Sequence, residues 1–119
     1  VLINSIKHGV NEVGLCEIVN LNSATDKVVM NFSAHDHEGN LHSYGVGVSS
    51  GLGGATLASD TYQAAYGLSW QGVQNVVKDY TPPGTCAYYF SVWAYARTTN
   101  GYGYIGYNSV GRSVTLIKP

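Results

Sequence analysis

Apolar and polar residues alternate with period two along most of the chain. Residues 27–35, KVVMNFSAH, put Val28, Met30, Phe32 and Ala34 on one face and Val29, Asn31 and Ser33 on the other. Residues 41–50, LHSYGVGVSS, put Tyr44, Val46 and Val48 on one face and Ser43, Gly45 and Gly47 on the other. Residues 1–8 predict an opening strand, 9–21 a turn followed by extended chain, 86–96 a long aromatic strand and 113–117 a closing strand. Residues 55–67 predict extended or irregular chain. Small polar or glycine-rich turns fall at 22–26, 35–40, 50–54 and 81–84, the last being Thr-Pro-Pro-Gly.

Residues 69–80, SWQGVQNVVKDY, are ambiguous. Val73, Val76, Val77 and Tyr80 fall at i, i+3, i+4 and i+7, a helical spacing. A short strand over 69–73 followed by irregular chain is the preferred reading, with one helical turn as the alternative. About seven short strands separated by turns predict an all-β, antiparallel sandwich of immunoglobulin-like type, with residues 1–119 as one domain. Helical segments are too few for a parallel sheet.

Composition sharpens this picture. Only 11% of residues are charged and the formal net charge is -1, with 15 Gly and 10 Tyr. Gly, Tyr, Ser, Asn and Val at low charge suit a turn-rich β protein and an extracellular module. No run of Lys or Arg is present to neutralise phosphates, so nucleic acid is not an expected partner. No apolar run approaches the roughly 20 residues of a spanning helix, so membrane insertion is not expected either. The first residue is Val1, and the expectation is a processed product or an excised piece of a longer chain.

Cys16 and Cys86 are the two cysteines. They lack CxxC spacing and a paired histidine, which argues against a metal or redox site. One disulfide between an early and a late strand is the preferred expectation, and it implies an oxidising compartment. Two free buried thiols are the alternative.

Three segments resemble bacterial immunoglobulin-like modules of the PKD, cadherin-like and fibronectin III-like kind. They are FSAHDHEGNLHSYGVGV (32–48), PGTCAYYFSVWAYA (83–96) and VGRSVTLI (110–117), together roughly a third of the chain. The resemblance implies a non-catalytic spacer or binding unit of a secreted, multidomain protein, whose partners are neighbouring domains of the parent chain. It also places Tyr88 inward. By period two Cys86, Phe90, Val92 and Ala94 then face the core, and Tyr89, Ser91, Trp93 and Tyr95 face outward. Large rings on that face lie opposite Ser43, Gly45 and Gly47, where they can cover exposed backbone or form a flat ligand platform.

Candidate chemistry is sparse. No G-x-S-x-G elbow, HExxH or P-loop occurs, and no enzyme is expected. His35, Asp36, His37, Glu38 and His42 read as a solvated turn and its flank rather than as an acid–base or metal set. Asp36, Glu38 and Asn40 place oxygen ligands at i, i+2 and i+4, so calcium is the one cofactor candidate. By resemblance to cadherin-like modules, Glu12 is a further ligand. Asn31-Phe32-Ser33 is a glycosylation sequon on the polar side of its strand. The stretch TNGYGYIGYN (99–108) carries Tyr102, Tyr104 and Tyr107 among Gly and Asn, an amphipathic recognition surface. Together with Tyr89, Trp93 and Tyr95 these make the ligand-binding candidates, with a polysaccharide or a surface protein as partner. The expected function is a structural or adhesive module of a secreted or cell-surface protein; the alternative is a carbohydrate-binding module.

Overall fold

The computed structural model describes residues 1–34, 41–63, 74–97 and 104–119. Among them the chain forms nine strands: β1 (Leu2–His8), β2 (Asn11–Glu12), β3 (Ile18–Asn20), β4 (Val28–Ala34), β5 (Leu41–Ser49), β6 (Thr56–Gln63), β7 (Gln74–Tyr80), β8 (Cys86–Arg97) and β9 (Tyr104–Ile117). One sheet has the order β2-β1-β4-β7 and the other β3-β9-β8-β5-β6. The two pack face to face as a β-sandwich.

The expected sandwich is present, with two corrections. Nine strands replace about seven, and the five-stranded sheet is mixed. Pairing is antiparallel throughout except between β3 and β9, which run parallel. The cause lies in residues 13–17, where the chain leaves one sheet for the other. Val13 N donates to Ile6 O (2.7 Å), the last bond to the first sheet. Cys16 N then donates to Ser113 O (2.9 Å) on β9. Cys16 takes the left-handed conformation (φ 59) at this bend. The chain therefore meets β9 already running in the same direction.

The alternation read from 28–34 and 41–49 decides the core. Val28, Met30, Phe32, Val46 and Val48 are buried, as are Tyr88, Phe90 and Val92 of β8 and Val114 and Leu116 of β9. Residues 74–80 correct the expectation of irregular chain or a helical turn. They form β7, whose hydrogen bonds are satisfied by β4, with Val76 opposite Phe32 and Tyr80 opposite Val28. Val77, which completes the helical spacing, points outward and is 62% exposed. Residues 69–73 lie outside the described residues. Residues 56–63 take the extended alternative, because β5 supplies an antiparallel partner, with one register shift that leaves Leu57 between the pairs Val48–Ala58 and Ser49–Thr56.

Charged groups close both open sides of the sandwich. Lys78 and Asp60 occupy inward positions on the edge strands β7 and β6, opposite Met30 and Val46 respectively. Their Nζ and Oδ2 lie 2.6 Å apart and bridge the two sheets. On the other side Arg112 Nη1 donates to Val13 O (3.0 Å). Inward charges on edge strands also discourage pairing with a further strand. At one end, the Tyr88 hydroxyl donates to Gly84 O and ties the 81–85 turn to the start of β8.

Tyr80 packs edge-to-face on Tyr88 (5.7 Å, 71°) and Phe90 (6.2 Å, 80°). Its buried hydroxyl has no hydrogen-bond partner among the described residues. Burial, then the neighbouring Tyr88 and Cys86, push its pKa up to about 12. The folded state thus favours the neutral phenol, a contribution complete below pH ~10 and lost as pH rises through about 12. Tyr80→Phe is expected to raise stability by about 1 kcal/mol, because it removes an unpaired buried hydroxyl while keeping the ring. It should also flatten the fall in stability between pH ~10 and ~12. Urea denaturation across that range checks both, and a loss of stability would contradict the account.

Asp26 organises the turn that leads into β4. Its carboxylate accepts from the backbone N–H groups of Asn22 (2.9 Å) and Lys27 (3.0 Å), and its Oδ2 lies 2.5 Å from His8 Nε2 on β1. The Asn22 N–H first, then the His8 contact, lower its pKa to about 2. The folded state therefore favours the carboxylate. That contribution is whole above pH ~4 and disappears as pH falls through about 2. Asp26→Asn is expected to remove this component of acid destabilisation, read as a flatter melting temperature between pH 4 and 2 than in the parent chain.

Candidate functional site

The site candidates assemble on the outer face of the five-stranded sheet. Residues directly opposite one another across a ladder share a face, so the register identifies its members. From β8 come Tyr89, Ser91, Trp93 and Tyr95. Beside them β5 contributes Ser43, Gly45, Gly47 and Ser49, and β9 contributes Ser109, Gly111 and Ser113. Beyond β5, edge strand β6 adds Ser59, Thr61 and Gln63. The outward assignment of Tyr89, Trp93 and Tyr95, implied by the resemblance for Tyr88 and carried along the strand by alternation, agrees with the inward burial of Tyr88, Phe90 and Val92.

Two rings lie flat on this face, one on each side of β8. The Trp93 indole covers Gly45, where an added Cβ would fall inside the ring, and extends over Gly47, where a Cβ would meet Cζ3 at 3.3 Å. The Tyr89 ring covers Gly111 on β9 in the same way. Glycine is required at Gly45 and Gly111 because only a missing side chain lets a ring reach the backbone. One face of each ring is thus turned to the sheet, and both rings remain partly exposed.

A shallow cleft of about 230 Å³ adjoins the rings, lined by Tyr89, Ser91 and Trp93, by Gly47 to Ser49, and by Gly53, Gly54 and Thr56. Its rim is the β5–β6 turn. Gly51 (φ 92) and Gly53 (φ 76) supply left-handed residues there, and Gly54 N donates to Gly51 O (3.1 Å). Ser50 N bonds Ala55 O (3.1 Å) and Ser49 Oγ bonds Gly51 O (2.9 Å), which hold the rim in place. Hydroxyl groups of Ser49, Thr56 and Ser91 therefore surround the rings.

Electrostatics separate the two outer faces. Among the described side chains at paired strand positions, no Asp, Glu, Lys or Arg lies on the outer face of the five-stranded sheet. The outer face of the four-stranded sheet carries Lys7, Glu12 and Asp79, with Asp79 paired to Lys27 (2.7 Å). It also carries a polar ladder across three strands. Asn4 Nδ2 donates to Asn31 Oδ1 (2.8 Å), and Ser33 Oγ donates to Asn75 Oδ1 (2.8 Å). The sequon residue Asn31 is outward as expected, but it and Ser33 belong to this ladder.

The remaining candidates distribute differently. Tyr104 and Tyr107 belong to β9, which begins earlier than the expected loop allows; their side chains, and all of Tyr102, lie outside the described residues. Asp36, Glu38 and Asn40, with His35 and His37, also lie outside them. Glu12 sits on β2 opposite Lys7. No cluster of three metal-ligating side chains occurs among the described residues.

The expected disulfide is corrected: Cys16 and Cys86 are free thiols. Cys16 bonds one edge of β9 at Ser113, whereas Cys86 pairs with the opposite edge at Leu116. They are separated by the width of β9, two strand spacings of ~4.8 Å, and by three residues of ~3.3 Å along it. A disulfide needs Cα atoms within ~7 Å. The rim of the cleft, at Ser49, Gly53, Gly54 and Thr56, and the covering of Gly111 by Tyr89 are not among the sequence expectations. The signal available for them was the Gly-rich turn and the lone glycine in VGRSV. No helix among the described residues is long and apolar enough to cross a membrane. No protein-family model, curated protein or solved structure matches this chain.

Proposed function

We propose that the chain is a non-catalytic adhesive module of a secreted or cell-surface protein and that it works through the outer face of its five-stranded sheet. The observation that carries this reading is the pair of partly exposed rings on a face whose described side chains at paired strand positions include no Asp, Glu, Lys or Arg. A surface meant only for solvation carries mixed charges, as the opposite face does; an uncharged aromatic face is suited to contact. An immunoglobulin-like type accords with the strand order, with β3 parallel to β9, and with the tie from Tyr88 to Gly84 at the start of β8. The free thiols withdraw the disulfide from the argument for an extracellular location, which now rests on composition and surface chemistry.

Adhesion of the fluorescently labelled chain to intact bacterial, fungal and plant cell walls tests the reading. Retention is expected to fall at least tenfold in Ser91→Lys, which places a cation between the two rings. Val77→Lys on the opposite face should leave retention unchanged. Absence of retention on every surface, or equal retention in both variants, would overturn it.

A further inference from the structure

We infer that the ligand of this face is an extended, uncharged polysaccharide, stacked on Trp93 and Tyr89 with one sugar ring seated in the adjoining cleft. The inference rests on the adhesive reading above and assigns its partner. Tyr89 reaches over Gly111 and Trp93 over Gly45 and Gly47, and since Gly111 and Gly47 both pair with Ser91, the rings flank Ser91 across the sheet, two strand spacings of ~4.8 Å apart. Each leans over glycine backbone rather than projecting from the sheet, so the exposed surface among the described residues is shallow. A shallow surface cannot grip a protruding protein side chain, but it matches the apolar C–H face of a pyranose ring. Linked sugars present such faces in succession, which suits two separated rings.

The surroundings fit the same chemistry. Sugar hydroxyls need hydrogen-bond donors and acceptors; Thr56 and Ser91 offer both beside the rings, and Ser49, whose O–H is given to Gly51 O, offers an acceptor. The cleft, about 230 Å³, is smaller than the roughly 300–1,000 Å³ of sites for drug-sized ligands. That leaves room for a single ring of a longer chain. The lack of charge decides between polymers. An acidic polysaccharide or a nucleic acid would find no cation at the described positions of the face, and a basic polymer would find no carboxylate. A neutral polymer loses no ion solvation on docking there.

Native electrophoresis in gels containing a soluble neutral β-glucan, a galactomannan, alginate or polygalacturonate tests the assignment on the whole chain. Retardation is expected in at least one neutral gel and in neither acidic gel. It should persist in 0.5 M salt, because no ion pair contributes. Ser91→Lys and Thr56→Lys should each weaken it at least tenfold, with unchanged melting temperature as the check on folding. In a Trp70→Phe chain Trp93 is the single tryptophan, and its emission should shift on titration with the same polysaccharide. No retardation in either neutral gel, preference for an acidic gel, or insensitivity to both Lys substitutions would overturn the inference. Wall adhesion that survives periodate destruction of glycans but not protease treatment would also overturn it while leaving the adhesive reading intact. Loss of all wall adhesion would remove both.

Discussion

Replacing Phe90 by alanine is expected to lower the stability of this protein by about 3–5 kcal/mol, the cost of deleting a fully enclosed aromatic side chain. Phe90 is 0% exposed. It sits mid-strand on β8, opposite Val48 on one side and Arg112 on the other, and meets the edge of Tyr80 across the sandwich. Around Phe90 the strand is paired without a register shift on both sides, Tyr89–Tyr95 to β5 and Cys86–Ala94 to β9, so the cavity has little freedom to collapse. Domains of this size have only ~5–15 kcal/mol in hand, and the variant should approach the unfolding threshold. Its immediate neighbour supplies the control. Tyr89 points to the opposite face and is partly exposed, so Tyr89→Ala should cost less than half as much. Urea denaturation of the two variants checks this; a Phe90→Ala loss below 1 kcal/mol would contradict the placement of the core.

Gly45→Ala is expected to change sign with its background. In the parent chain the new methyl group falls inside the Trp93 ring, which must swing off the sheet. The loss of that packing should destabilise by about 1–3 kcal/mol, in the range of other overpacked sites. In a Trp93→Ala chain the obstruction is gone. Alanine then restricts the unfolded backbone more than glycine does and should stabilise by about 0.5–1 kcal/mol. A double-mutant cycle measures the coupling directly. Additive effects would show that Trp93 does not rest on Gly45 and would remove the platform on which the functional proposal stands. The cycle also separates two roles of the ring. Covering glycine backbone with one side of the indole is a structural task, and it holds the opposite side outward for a ligand.

How much of this was legible in the sequence depends on the range of the interaction involved. Alternation at Val28, Met30, Phe32 and Ala34, and at Phe90 and Val92 once the resemblance had placed Tyr88 inward, anticipated burial well, because period two is a local property of extended chain. Val76, Val77 and Tyr80 misled for the same reason: a helical spacing over few residues carries little weight against a strand partner, and β4 supplied one. The cysteines show the limit most plainly. Both lie near β9 in space, and nothing in their spacing says that they meet opposite edges of it at different levels.

The candidate face divides in the same way. Local pattern alone determined that Tyr89, Ser91, Trp93 and Tyr95 share a side, that the chain is poor in charge, and that its strands build a sandwich. Tertiary structure decided that Trp93 covers Gly45 and Gly47, that Tyr89 covers Gly111, and that the glycine turn after β5 walls the cleft beside them. It also decided that Lys27 and Asp79 pair on the opposite sheet and that Lys78, Asp60 and Arg112 lie across the open sides. The physical reason is that a strand's two faces follow from its own residues, whereas its neighbours and register depend on ladders formed between segments far apart in the chain. A ring and the glycine beneath it, 48 positions apart for Trp93 and Gly45, are brought together only by that pairing.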